Sequence, residues 1–164
     1  MNGIEEFYKF LDIQSKICNG RQAEILKQKR QDLRLCKMSL MSEIFSSEEI
    51  NEIRKMIKVK ECFRNAFITA ESLPNVKYIE GEVLVCGIPI YHAFCKIGDK
   101  YFDPTLELVL NEDTTENSYA VMGEYDVDYV RSILIKTKVW GDIYYETLKQ
   151  KFYETSCEKS YRMF

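Results

Sequence analysis

Two apolar segments separated by a Gly-Asp pair limit what this chain can fold into more than any other feature. The first covers residues 88–97 and is largely apolar, with several β-branched and aromatic residues, and the second resumes with Tyr101 and Phe102. Two such segments joined by a short turn at Gly98-Asp99 are typical of a β-hairpin. The chain is therefore predicted to contain an antiparallel sheet built around this hairpin.

The hairpin also fixes the position of the only histidine in the chain, His92. With a two-residue loop, Cys95 pairs with Phe102, and His92 lies on the same face as Asp103 and diagonal to it. Diagonal neighbours in an antiparallel pair are roughly 7–8 Å apart at Cα, so their side chains can meet. An aspartate bonded to an imidazole fixes its tautomer and raises its basicity. The alternative is that His92 is a half-buried structural residue and that the acidic residue lies near it by chance. The hairpin alone is consistent with both a functional pair and this structural interpretation.

Helical periodicity predicts helices on both sides of this sheet in the sequence. The predicted helices cover residues 4–17, 21–38, 47–56, 60–72 and 126–140; the predicted strands cover 76–86, 90–97 and 100–103; and residues 106–124 are predicted as a loop with a short strand. Helices, then a strand meander, then helices indicate an α+β fold, with an antiparallel sheet packed by helices. We expect a single domain over 1–164, with a helical segment at 1–58, a core at 59–140 and a helical tail at 141–164.

Composition excludes several classes of protein. The chain has 164 residues, 46% of them hydrophobic, which suits one domain with a sizeable core. A net charge of -3 does not suggest a nucleic-acid surface. No segment approaches the ~20 apolar residues that span a bilayer, and the N-terminal residues lack the basic flank and apolar run of a secretory signal. We therefore expect a cytoplasmic protein that binds neither nucleic acid nor membrane, and the sequence sets no oligomeric state.

The six cysteines are predicted to be reduced thiols, since none forms a C-x-x-C pair and no export signal is evident. A metal site is not expected. Cys86, His92 and Cys95 are close in sequence, but strand alternation points His92 and Cys95 to opposite faces. Cys86 and Cys95 are instead predicted to lie in the core. No metal and no organic cofactor is predicted.

Cys62 adds a nucleophile to the His92–Asp103 pair. It falls in the first turn of the helix predicted for residues 60–72, and the partial positive charge of a helix N-terminus favours a thiolate. Thiolate, imidazole and carboxylate correspond to nucleophile, base and orienting acid. The alternative for Cys62 is a small buried hydrophobic residue. The polar neighbours Lys60 and Arg64 favour an accessible position instead.

Three segments carry a resemblance to a known family: "ECFRNAF" at 61–67, "YIEGEVL" at 78–84 and "IPIYHAFCKIGDKYFDPT" at 88–105. Together they resemble the transglutaminase-like branch of the papain-like cysteine-enzyme superfamily, and more narrowly a set of small bacterial and phage-encoded proteins. The resemblance implies a papain-like core with an N-terminal helical extension, and Cys62, His92 and Asp103 as catalytic residues. Phe94 departs from the family pattern, which has tryptophan there.

Two further residues are weaker candidates for the site. Asn65 shares a helix face with Cys62 and either donates to an oxyanion or substrate carbonyl, or caps a local turn. Glu80 either holds a basic group near the site or binds a backbone amide where Gly81 makes a bulge. The backbone N–H of Cys62 is the preferred oxyanion donor, because a helix N-terminus has free N–H groups.

The sequence thus predicts a cysteine-dependent enzyme acting on acyl or amide bonds of a protein, peptide or other amide substrate. Peptidase (thiol protease), deamidase and acyl transferase chemistry all use such a triad. The alternative is a phage- or bacteria-encoded protein-binding module with a vestigial triad, because tyrosines suit contact surfaces. Its candidate contact residues lie near the C-terminus: Tyr144, Tyr145, Tyr153 and Tyr161.

Overall fold

A computed structural model describes residues 3–161, with side chains described for residues 3–153. The helices are α1 (Gly3–Ile17), α2 (Gly20–Asp32), α3 (Ser47–Met56), α4 (Cys62–Ser72), α5 (Pro104–Val109), α6 (Val127–Thr137) and α7 (Ile143–Tyr161). The strands are β1 (Arg34–Cys36), β2 (Val76–Val85), β3 (Ile88–Ile97), β4 (Lys100–Phe102) and β5 (Tyr119–Tyr125). They form one five-stranded antiparallel sheet in the order β1-β5-β2-β3-β4. The predicted α+β class is confirmed.

The predicted hairpin register is confirmed. Cys95 pairs with Phe102 and Ile97 pairs with Lys100 across β3 and β4. Strand β3 also pairs along its whole length with β2, so it has neighbours on both sides only near its C-terminal end. The paired register leaves His92 just before the segment that β4 covers.

Both faces of the sheet are covered by apolar residues. On one face an apolar stripe of α4 packs against β2 and β3, and Ala66, Phe67 and Ala70 are buried there. The same face continues into a cluster that joins α1 and α7 to β5. The opposite face has a smaller cluster in which Phe94 and Tyr119 are fully buried.

One predicted element was wrong and another was incomplete. Helix α2 ends at Asp32 rather than at residue 38, because Leu33 turns into the core and residues 34–36 form the edge strand β1. The segment predicted as a loop with a short strand also holds part of α5, and its strand is the seven-residue β5, which lies between β1 and β2. Residues 119–122 of β5 are all buried, and a strand buried on both faces lacks the alternation that reveals a half-exposed strand.

The cysteine predictions had mixed outcomes. Cys95 is buried, as expected, and its thiol donates to the carbonyl oxygen of Ala66 at 3.4 Å. Cys86 is exposed, because the chain turns there with a positive φ of 49° instead of continuing the strand. The side chain of Cys157 lies outside the described residues, and the other five cysteines carry free thiols.

Within residues 3–161, no helix is both long enough and apolar enough to cross a lipid bilayer.

Candidate active site

His92 and Asp103 meet as the hairpin register predicts. Nε2 of His92 lies 2.6 Å from Oδ2 of Asp103. Both side chains are withdrawn from solvent, with exposed fractions of 5% for His92 and 0% for Asp103. The predicted contact between them is therefore present as a buried hydrogen bond.

Asp103 is held by four donors from three parts of the fold. Its Oδ1 accepts the backbone N–H groups of Thr105 at 2.9 Å and Leu106 at 3.1 Å, which makes Asp103 the N-cap of α5. Its Oδ2 accepts from His92 and from the hydroxyl of Tyr119 at 2.8 Å. The sequence Asp103-Pro104-Thr105 thus suits the start of a helix, because aspartate caps the helix and proline is favoured at its first position.

Burial alone would raise the pKa of the Asp103 carboxyl, but its partners lower it below the usual value. The charge and hydrogen bond of His92 contribute most to this lowering, followed by the Leu106 N–H and the Tyr119 hydroxyl. Asp103 is therefore ionised at neutral pH. An ionised carboxylate accepts only, so Nε2 of His92 carries a proton.

That bond assigns the two ring nitrogens of His92. Nε2 donates to Asp103, which leaves Nδ1 for a second partner. Burial would lower the pKa of the imidazole, but the charge and hydrogen bond of Asp103, together with a hydrogen bond and charge from Cys62, raise it to about 10. The Cys62 thiol therefore lies near enough to the imidazole to raise its pKa.

Cys62 is the first residue of α4 and is half-buried. The side chain of the N-cap residue, Glu61, makes no capping hydrogen bond, unlike Asp103 at the start of α5. The backbone N–H groups of the first turn lack partners within the helix, and here no N-cap side chain takes their place. The thiol of Cys62 thus lies at a helix N-terminus that its N-cap side chain leaves open.

Asn65 is engaged in holding the backbone rather than facing an open site. It is fully buried, and its Oδ1 accepts the N–H of Lys58 at 3.0 Å. Its Nδ2 donates to the Lys58 carbonyl at 2.6 Å and to Thr105 Oγ1 at 3.2 Å. Both amide hydrogens and the amide oxygen are committed, which matches the predicted alternative of capping a local turn. The side chain ties the segment before α4 to α5.

Glu80 binds backbone amides, which was one of its two predicted alternatives. Oε1 accepts from the Tyr78 hydroxyl at 2.8 Å and the Ile143 N–H at 3.1 Å. Oε2 accepts from the Tyr91 hydroxyl and from the Tyr144 N–H at 2.8 Å. The amides belong to the start of α7 rather than to the bulge at residues 80–81, which is nevertheless present between β2 and β5. Glu80 therefore fastens α7 to the sheet.

Gly81, which pairs with His92 across β2 and β3, lets the backbone of β5 and the ring of Phe94 come close to its Cα. A Cβ atom at Gly81 would lie 2.1 Å from the carbonyl oxygen of Ala120 and 3.0 Å from the ring of Phe94. The first contact is with backbone, so a side chain here would push β5 away from β2. Phe94 packs edge-on against Tyr119 with ring centroids 5.2 Å apart, so this aromatic residue supports the face on which His92 lies.

Tyr119 was missed by the sequence analysis. Its hydroxyl donates to Asp103, its ring is fully buried, and its centroid is 6.4 Å from that of His92. It stands at the first position of β5, in a segment whose strand character the sequence shows only weakly. A buried tyrosine needs a partner for its hydroxyl, but the sequence does not reveal that this partner is Asp103.

The tyrosines considered for a contact surface do not form one exposed group. Tyr144 is buried, Tyr145 is half-buried and Tyr153 is 64% exposed. Tyr161 lies outside the described side chains. Among the described residues, no group of three or more His, Cys, Asp or Glu side chains is arranged to hold a metal ion.

Comparisons of the chain with protein-family models, with curated proteins and with solved structures found no match. The resemblance to transglutaminase-like enzymes therefore stays a prediction from three sequence segments. Any function has to be argued from the arrangement of Cys62, His92 and Asp103.

Proposed function

We propose that this protein is a cysteine-dependent enzyme that cleaves or transfers acyl groups at amide bonds, built on a papain-like or transglutaminase-like core. The observation that carries the proposal is the imidazole of His92, which is bonded through Nε2 to a buried carboxylate and whose pKa is raised by Asp103 and by the nearby Cys62. These three side chains suit the roles of nucleophile, base and orienting acid.

The first half of the reaction forms an acyl-enzyme. His92, whose pKa is raised, holds on Nδ1 the proton that the Cys62 thiol has given up, and the sulfur attacks the substrate carbonyl carbon. The tetrahedral intermediate carries a negative oxygen. Its collapse breaks the C–N bond, and the imidazolium gives its proton to the departing amine. Asp103 stays ionised throughout and stabilises the imidazolium.

The second half releases the acyl group. Water attacks the thioester while His92 accepts its proton, the C–S bond breaks, and the proton returns to the sulfur of Cys62. An amine in place of water gives acyl transfer by the same steps. The proposed substrate is therefore a peptide, a protein side-chain amide or another amide, in the cytoplasm, and the steps use no metal or organic cofactor.

The negative oxygen of the tetrahedral intermediate needs hydrogen-bond donors. The backbone N–H of Cys62 is the proposed donor, because it lies at the start of α4 and no N-cap side chain takes up its first turn. The amide of Asn65 is not proposed for this role, since its two hydrogens are already bonded to Lys58 and Thr105.

Turnover of an activated ester tests the proposal without knowledge of the natural substrate. With p-nitrophenyl acetate, the parent protein should release nitrophenol in a burst and then at a steady rate, because His92 assists both acylation and hydrolysis. Cys62→Ser and His92→Ala should lower the steady rate at least about a hundredfold. Peptide mass spectrometry should locate the acetyl group on Cys62.

The matched control is Cys86→Ser, which removes an exposed thiol outside the site and should leave the steady rate unchanged. A steady rate in Cys62→Ser equal to that of the parent would refute the proposed function.

A further inference from the structure

Besides His92, another side chain donates a hydrogen bond to Asp103, the hydroxyl of Tyr119, and the proposed mechanism does not use it. That hydroxyl lies 2.8 Å from Oδ2, the same oxygen that accepts from His92 at 2.6 Å. Tyr119 has no exposed surface, and its ring is fixed against Phe94. The donor therefore arrives from a rigid part of the sheet.

We propose that Tyr119 is a positioning residue that holds Oδ2 of Asp103 against Nε2 of His92, an inference that rests on the proposed function. The two N–H groups of α5 restrain only Oδ1. With that oxygen alone restrained, the carboxylate can still pivot about Oδ1 through a combined change of χ1 and χ2, which moves Oδ2 away from the imidazole. A hydroxyl on β5 removes this freedom, because it restrains the second oxygen from a different element.

The same hydroxyl also suits the proton movements of the reaction. Burial, followed by the charge of Asp103, raises the pKa of the Tyr119 hydroxyl far above its usual value, so it stays protonated and acts only as a donor. When His92 gives up its Nδ1 proton to the leaving amine, the positive charge beside Asp103 is lost, but Asp103 keeps all four of its donors, including the Tyr119 hydroxyl. The carboxylate thus stays ionised and in place between the two halves of the reaction.

Other titratable groups near this carboxylate are few among the described residues. Cys36 of β1 and Glu112, which follows α5, interact with Tyr119 through charge. Glu107 of α5 and Cys95 of β3 interact with Asp103 in the same way. Each is intact in a Tyr119→Phe variant, so a change seen there belongs to the lost hydroxyl.

The test is an NMR titration of the imidazole. His92 is the only histidine, so its Cε1–H signal needs no assignment. In the parent the pKa of His92 should lie well above 6.5. Tyr119→Phe should lower it by about half a unit or more, because Asp103 spends less time against Nε2. Asp103→Asn should lower it further. In the ester assay, Tyr119→Phe should lower kcat about tenfold with KM unchanged.

Tyr144→Phe is the matched control. Tyr144 is also buried and donates to a carboxylate oxygen, that of Asp32, at 2.8 Å, but it lies outside the site. Its loss should leave the His92 titration unchanged. Folded and unfolded molecules give separate imidazole signals, so the folded state is measured even in a destabilised variant.

An unchanged or raised pKa of His92 in Tyr119→Phe would overturn the positioning role. The Tyr119 hydroxyl would then only compete with His92 as a hydrogen-bond donor to Oδ2 of Asp103. This outcome is distinct from failure of the proposed function. That failure would appear as equal ester turnover in the parent and Cys62→Ser, whatever the imidazole titration shows.

Discussion

Asp103 and Glu80 are two buried carboxylates built on nearly the same plan. Neither side chain has exposed surface, and each accepts two backbone N–H groups at the start of a helix. Each also accepts a tyrosine hydroxyl, from Tyr119 in one case and Tyr78 in the other. They differ in the fourth donor, which is an imidazole for Asp103 and a second tyrosine for Glu80.

The pKa values of the two carboxyl groups shift in opposite directions. The pKa of Glu80 is raised, because the effect of burial exceeds that of its four neutral donors. The pKa of Asp103 is lowered, because the positive charge of His92 adds to the effect of its donors. At Glu80 the neutral donors lower the pKa by less than burial raises it, whereas at Asp103 the charge of His92 is added to the donors and the balance reverses. We infer that Glu80 serves the fold and Asp103 serves the reaction.

The largest expected effect is the loss of activity in Asp103→Asn. The two N–H groups of α5 will take the amide oxygen, which turns the NH₂ group toward Nε2 of His92. The imidazole then carries its proton on Nδ1 and cannot accept one from Cys62. We expect turnover of p-nitrophenyl acetate to fall about 10⁴-fold, as in other triads that lose the orienting acid.

The fold should survive this change, because asparagine also caps helices. Circular dichroism checks that point, and Asp32→Asn, a change at a carboxylate outside the site, should retain activity. Full turnover in Asp103→Asn would remove the distinction between the two carboxylates.

The next largest effect should come from Glu80→Gln, and it should fall on stability. Each carboxylate oxygen of Glu80 accepts two hydrogen bonds. Glutamine replaces one of these oxygens with an NH₂ group, which cannot accept, so two donors lose their acceptor. We expect the free energy of unfolding in urea to fall by about 3 kcal/mol. The alkylation rate of Cys62 in the folded protein should be unchanged.

Glu124→Gln is the control for that variant, because Glu124 is a partly exposed carboxylate bonded to Lys96 and Tyr101. It should cost less than about 1 kcal/mol. If Glu80→Gln impaired turnover as strongly as Asp103→Asn, Glu80 would belong to the site after all.

A smaller effect, of opposite sign at the two positions, is expected on acidification. The folded-state pKa of Asp103 is below its ordinary 3.8, so its stabilisation is present above that pH and is lost as the pH falls. The folded-state pKa of Glu80 is above its ordinary 4.5, so its contribution is present below that pH and is lost as the pH rises.

Urea unfolding between pH 3.5 and 6 tests this at Glu80. The stability deficit of Glu80→Gln relative to the parent should grow toward low pH by about 1 kcal/mol, whereas in Asp103→Asn the loss of the carboxylate and the lowered pKa of His92 act in opposite directions. A Glu80→Gln deficit that shrank toward low pH would contradict the raised pKa of Glu80.

What the sequence could predict follows from the distance between partners along the chain. The His92–Asp103 contact lies within one hairpin, so the turn residues and strand alternation were sufficient to find it. The position of Cys62 at the start of α4 was likewise local, because it follows from helical periodicity. These are contacts whose geometry is set by secondary structure alone.

The missed features depend on segments that meet only in the folded chain. Glu80 binds the start of α7, whose two amides lie 63 and 64 residues away. Tyr119 reaches Asp103 only because β5 is inserted between β1 and β2. Asn65 could be narrowed to two roles, but its bond to Thr105, 40 residues on, comes from helix packing. No local pattern encodes which of these distant groups becomes the partner.

The most direct test of the central claim, that His92 activates Cys62, compares two thiols in one molecule. Cys86 is exposed and Cys62 is half-buried, so accessibility alone makes Cys86 the faster to react. Activation by His92 reverses this order: at pH 6, iodoacetamide should alkylate Cys62 at least about tenfold faster than Cys86, as followed by peptide mass spectrometry. In His92→Ala, Cys62 should become the slower of the two. Faster alkylation of Cys86 in the parent, or a Cys62 rate unaffected by His92→Ala, would show that His92 does not activate Cys62.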